Sequence, residues 1–442
     1  MLTLLKADLL GDLRVWIGTF AVLVAAGAAA GIPATLVDTA LGQSDVTVQL
    51  GLVSVASIAL TLSVLSLVIV LSSTVRTLVE LRRRTFALWL IVGVQPSQLG
   101  RLVLGELAAV AVLGAALGSV LAWLVCPTLV RALLVGSDGL GEVVPTLGPG
   151  SAAIGGAVVV GVVLLAALPR AREAGSTPVL ALLRGGARPR QRVVVRIVVA
   201  ALLLALAGTM FAGLPQSLPT GAAQSVLIGP VLIAAASAGA PVYVPRLIQL
   251  WTAVVPSRAS VSWYLARATV IDSAERSSAS VVSFMVAIGL LWTFLAGQNT
   301  AATAFGGGAA ADPRPLALLL GGPTLLAAVG AAAGVLMASS FREREEALLE
   351  VAGADRGVRV LTAAGEALIY VLTAAVLASV VVALVAGGIG VFLQGVAPSV
   401  RPTPVPALGA VGTVVCLVLA WAATFGPRLA RRRTTVEVLS GS

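Results

Sequence analysis

Between two long apolar runs the chain reads Arg82-Arg83-Arg84-Thr85-Phe86-Ala87-Leu88-Trp89-Leu90-Ile91-Val92-Gly93-Val94. Three consecutive arginines cannot lie in hydrocarbon, where each charge costs several kcal/mol. The runs on either side, about 49–75 and 102–126, hold almost no charge and exceed the roughly 20 residues that cross a bilayer. The arginine stretch is therefore an aqueous element between two membrane helices. The whole composition agrees. Of 442 residues 58% are apolar and 11% charged, with mean hydropathy +1.04. A soluble domain carries about 25% charged residues, so a soluble globular enzyme is excluded.

Outward from that stretch, eight more apolar runs follow the same rule. Ten spans are predicted, near 15–37, 49–75, 102–126, 151–169, 195–214, 225–245, 278–299, 315–340, 363–393 and 403–426. Pro215, Pro219, Pro230 and Pro241 interrupt the fifth and sixth, which leaves a count of eight as the alternative. Placing the N-terminus inside puts only Arg131, Arg314 and Arg401 outside, of 29 Lys and Arg in all. Short cytoplasmic loops collect Lys and Arg. The expected topology thus has ten spans with both termini cytoplasmic in a plasma membrane. The same asymmetry accounts for the net charge of +10 without a nucleic-acid partner. The first span is read as retained and not as a cleaved leader, because Asp8 and Asp12 dilute any basic leader sequence. Leu2, Leu5, Leu9 and Leu13 form one face of an expected in-plane helix at the interface.

Missing residue types exclude much chemistry. There is no His, and Cys126 and Cys416 stand in separate apolar runs, so no metal site or disulfide framework is expected. Lys6 is the only lysine and follows no glycine-rich loop, so the chain has no Walker A motif and is not expected to be an ATPase or other enzyme. Within the spans only Glu106 and Glu366 are acidic, each near the expected inner side. A midplane without Asp, Glu or His argues against a proton-driven carrier.

The opening stretch recurs. After the eighth run the chain reads Arg342-Glu343-Arg344-Glu345-Glu346-Ala347-Leu348-Leu349-Glu350-Val351-Ala352-Gly353-Ala354. Thirteen residues beyond Gly93 and Gly353 stand Glu106 and Glu366. Two spans later Leu168-Pro169-Arg170-Ala171-Arg172 with Thr177-Pro178-Val179 parallels Gly426-Pro427-Arg428-Leu429-Ala430 with Thr434-Thr435-Val436. The expected fold is all-α: a polytopic membrane protein with two pseudo-symmetric four-helix repeats, within 1–190 and 251–442, joined by two linking helices in 191–250.

These two copies resemble the FtsX-like permease domain of ABC transporters, and the ten-span arrangement is similar to its antimicrobial-peptide exporter branch. The resemblance rests on Arg82 to Gly93, Glu106 and Pro169 to Leu182, then Arg342 to Ala354, Glu366 and Pro427 to Leu439. It implies a permease subunit exporting a hydrophobic or amphipathic cargo. A separate cytoplasmic ABC ATPase, one homodimer per chain, would hold ATP and Mg, with no cofactor in the chain itself. The implied docking levers are Arg82, Arg83, Arg84 and Gly93, with Arg342, Arg344 and Gly353. Two features depart from the family pattern. The outer loops at about 38–48 and 300–314 leave no room for an extracellular domain, and Thr435 replaces the tail proline. A secondary transporter and a non-transporting signalling subunit are the alternatives.

Small residues four apart, Gly27 and Gly31, Gly114 and Gly118, Gly330 and Gly334, are expected to bring helices close. Trp16, Trp123 and Trp421 are read as interfacial anchors, and Trp292 as a core or lipid contact.

Overall fold

A computed structural model of the chain describes residues 13–82, 85, 88–89, 91, 93, 95–134, 144–176, 190–217, 222–256, 260–272, 274–304, 313–351, 353–394 and 400–429. The described elements are all helical: α1 (Leu13–Leu41), α2 (Val46–Leu81), α3 (Pro96–Leu134), α4 (Pro149–Ser176), α5 (Arg190–Ser217), α6 (Ala222–Thr252), α7 (Val261–Asp272), α8 (Ala274–Ala304), α9 (Pro313–Val351), α10 (Arg356–Leu393) and α11 (Pro406–Leu429). All but α7 are long and apolar enough to cross a membrane, ten in all among the described residues. The ten expected spans are present. The in-plane helix proposed for residues 2–12 lies outside the described residues.

Prolines that read as breaks or boundaries lie inside helices. Pro127, one residue past the expected third span, lies inside α3, which runs on to Leu134. The sixth span holds Pro230, Pro241 and Pro245 within one helix. Membrane helices tolerate such breaks because neighbours and local hydroxyls satisfy the freed carbonyls. Hydroxyls along the spans can be satisfied by bonding back onto their own helix: Thr35 donates to the Gly31 carbonyl at 2.7 Å, and Thr39 to that of Thr35 at 2.6 Å.

The chain divides into two compact units. Unit 1 comprises 1–189 and 309–330, and unit 2 comprises 190–308 and 331–442. The part of α9 up to Gly330 thus counts with unit 1 and the part from Ala331 with unit 2. In unit 1, α3 packs against both α1 and α4, and α2 packs against α1 and α4. The α1–α3 crossing is a glycine contact. A Cβ on Gly27 would stand 2.9 Å from the Ala115 carbonyl and 3.0 Å from the Gly118 Cα, and one on Gly114 would stand 2.6 Å from the Leu23 Cβ. The expected small-residue pairs on these helices therefore face each other, and backbone meets backbone.

Unit 2 is built around α8, whose apolar window Ser278–Thr303 is 89% buried, against 17% for Val194–Leu214 of α5 and 22% for Pro406–Phe425 of α11. Helix α8 packs on α10 and α6. Phe211 of α5 stacks on Phe392 of α10, with ring centroids 5.7 Å apart. Trp292 is buried, as a core contact; its indole N–H donates to the Pro404 carbonyl and its ring covers Gly409.

Candidate coupling site at the inner helix ends

Each arginine-bearing stretch ends in the same turn. Gly93 has φ +98° and Gly353 φ +85°, and they are the positive-φ glycines among the described residues. This left-handed region is open to glycine and costs other residues about 1–2 kcal/mol. At Gly353 the bonding is that of a Schellman cap. The Ala354 N–H donates to the Leu349 carbonyl at 2.9 Å and the Gly353 N–H to the Glu350 carbonyl at 3.0 Å. Two residues later Asp355 precedes the first turn of α10. At Gly93 the spacing is identical. Gln95 precedes α3, Pro96 takes the first helical position, which needs no N–H, and the Gln98 side chain accepts from the Gln95 N–H at 3.3 Å. The residues before the two glycines differ. Helix α9 continues unbroken from the membrane through Arg342 and Arg344 to Val351, whereas α2 ends at Leu81 and places Arg82 in a turn, with Thr85, Leu88, Trp89 and Ile91 helical beyond it.

Glu106 stands in α3 as Glu366 does in α10, three turns in, and both are buried, at 1% and 4% exposure. Arg82, also 1% exposed, points its guanidinium at Glu106, Nη1 to Oε2 2.5 Å. The indole of Trp16, on α1, lies under the same guanidinium, 5.3 Å from ring centroid to Cζ. One cation thereby joins the N-terminal parts of α1 and α3 to the C-terminal end of α2. A buried pair of this kind adds little net stability, but losing one partner costs about 3–5 kcal/mol, because the other charge stays desolvated. Stacking on the indole adds up to about 2 kcal/mol when water is excluded. Glu366 is not left without an interaction either. In unit 2 the turn itself is clamped at the surface: Arg359 of α10 reaches back over Gly353 to Glu350 of α9 at 2.6 Å.

Of the expected site residues, Arg82 and Glu106 are brought together, and Gly93 and Gly353 form equivalent turns. Arg83 and Arg84 lie outside the described residues, as do the side chains of Arg342 and Arg344. Trp16 was missed. It is not an interfacial anchor, being 5% exposed beneath Arg82, whereas Trp123 and Trp421 are 52% and 38% exposed near their helix ends. Its only signal was a lone aromatic at the arginine-rich end of a span. Among the described residues no three His, Cys, Asp or Glu side chains gather into a metal-binding group.

Residues 57–179 match the FtsX-like permease C-terminal family. Over this stretch the chain is similar to an FtsX-like permease domain. The stretch begins in α2, takes in the Arg82 pair, the Gly93 turn and Glu106, and ends beyond α4 at Pro178-Val179. The likeness covers these residues and is to the permease domain alone. No curated protein and no solved structure matches the chain.

Proposed function

We propose that the chain is the membrane subunit of an ABC exporter and carries two FtsX-like repeats. In this reading a separate cytoplasmic ATPase homodimer docks at the Gly93 and Gly353 turns, and the cargo is a hydrophobic or amphipathic compound such as a drug or antimicrobial peptide. The observation that carries the reading is the pair of matching turns: a left-handed glycine, two residues, a long membrane helix, and a buried glutamate at the same distance. Two further likenesses support it. The first and third helices of each expected quartet pack together, α1 on α3 and α8 on α10, and so do the third and fourth, α3 on α4 and α10 on α11.

Arg82 is sequestered, so it fixes the lever to its own unit, and the roles left for Arg83, Arg84, Arg342 and Arg344, taken from the sequence alone, are contacts with the ATPase. Rotation of the docked nucleotide-binding subunits would turn the levers. In the first repeat, the Arg82–Glu106 pair and Trp16 would pass that motion to α3 and α1 together. The ATP and Mg²⁺ sit on the partner. Co-purification with the ATPase, followed by transport in proteoliposomes, tests this. Replacing Arg83, Arg84, Arg342 and Arg344 by Ala is expected to abolish the association while the chain still folds. Undiminished association, or flux that persists without ATP and follows an ion gradient, would overturn it.

A further inference from the structure

Unit 1 contains a cavity of about 200 Å³ whose lining includes none of Trp16, Arg82 and Glu106. Its walls are apolar: Ala30 and Ala34 of α1, Ile154 and Val158 of α4, and Pro323 of α9, with Ser63 of α2 as a polar exception. Along α1 the lining runs from Ala26 to Val37, about 16 Å at 1.5 Å rise per residue. A cavity of that volume and length has room for one alkyl chain and not for two. Ile154 and Val158 are 67% and 44% exposed at the membrane-facing edge, so the opening is lateral.

Two polar features mark the ends. The Ser63 hydroxyl is buried and has no partner, although Ser54, Ser57 and Thr61 on the same helix all donate to their own backbone. A hydroxyl left so in an apolar wall forgoes about 1–3 kcal/mol. At the outer end Ser151 lines the cavity and donates to Asp38 Oδ1 at 2.5 Å, and the Gly148 N–H donates to Oδ2 at 2.6 Å. An ionised carboxylate offers about four acceptor sites, so two remain. Among the described residues Asp38 has no cationic partner. Asp38 does not itself line the cavity; it follows Val37 and holds Ser151, which do, so its carboxylate lies just behind the outer end of an apolar slot.

We propose that this slot binds a single-chain cationic amphiphile, its alkyl tail between α1, α2, α4 and α9 and its ammonium head at Asp38. The site goes beyond the permease reading and does not depend on it. It is tested on the purified chain in nanodiscs of zwitterionic phospholipid, without any ATPase, so a failure of transport says nothing against it. The probes are radiolabelled decyltrimethylammonium and decylphosphocholine below their micellar concentrations. The expected result is saturable binding of one decyltrimethylammonium per chain, at least tenfold tighter than decylphosphocholine. Asp38→Asn is expected to reduce that preference to about twofold or less. Ile154→Trp, at a lipid-exposed position that does not bear on folding, is expected to block both probes. Equal affinity for the two head groups, an unaltered preference in the Asp38 variant, or binding that never saturates would overturn the proposal and make the slot an ordinary lipid contact.

Discussion

In the proposed reading Arg82 is the residue on which the first lever turns. Its charge is desolvated with Glu106 and capped by Trp16. Arg82→Leu alone should lower the thermal midpoint of the detergent-solubilised protein strongly, equivalent to about 3–5 kcal/mol, because Glu106 is left buried and charged. The double variant Arg82→Leu/Glu106→Leu should regain most of that stability, since apolar replacement of a buried pair is often neutral. If the pair couples lever to spans, the double variant stays stable yet loses ATPase-driven transport. A double variant as unstable as the single one would show that the pair is structural support and nothing more. The turns have their own test. Gly93→Ala and Gly353→Ala have free space around the new Cβ, so any loss comes from φ alone and should be about 1–2 kcal/mol in each, read by the thermal midpoint. The glycines and glutamates were legible in the sequence through their repeated spacing. The partner of Arg82 was legible only as a nearby arginine-to-glutamate pairing, and Trp16 not at all, because its contact depends on how α1 crosses the end of α2.

At the scale of the element, the helices were plain in the sequence because apolar runs of this length have one solution in hydrocarbon: every backbone group bonded within the segment. Their ends were less plain. Pro127 reads as a boundary, yet α3 absorbs it, and α7 is too short and too polar at its ends to stand out from the arginine-rich loop around it. The small-residue spacing did mark a real contact. Gly118 and Gly27 let α1 and α3 touch backbone to backbone, with a Cβ on Gly118 set 2.8 Å from the Gly27 Cα. Gly118→Val therefore has nowhere to relax and should cost at least the upper end of about 1–3 kcal/mol. Gly161→Val on α4 meets nothing within 4 Å and should be silent. The comparison is made by detergent melting of the two variants side by side. Similar melting points would mean that the α1–α3 crossing is looser than the backbone contact implies.

For the whole molecule, orientation follows from where the arginines fall along ten spans. An even number of spans separates Gly93 from Gly353, so both turns face one compartment if every span crosses, and from the crowding of arginine on that side we propose that it is the cytoplasm. This can be read by labelling. The two native cysteines are buried at 4% and 3% exposure, so the background for a membrane-impermeant maleimide is low. Gln95 and Asp355 sit one residue before α3 and α10 in the two turns and are exposed, and the Asp355 side chain makes no cap bond, so Cys is tolerated there. Asp45, exposed between α1 and α2, reports the opposite face. In intact cells Asp45→Cys should label, and Gln95→Cys and Asp355→Cys should label only after the membrane is opened. Labelling of Gln95→Cys and Asp355→Cys from opposite sides would remove the like orientation of the two quartets. With it would go the idea that one ATPase pair, sitting on one face, drives both levers.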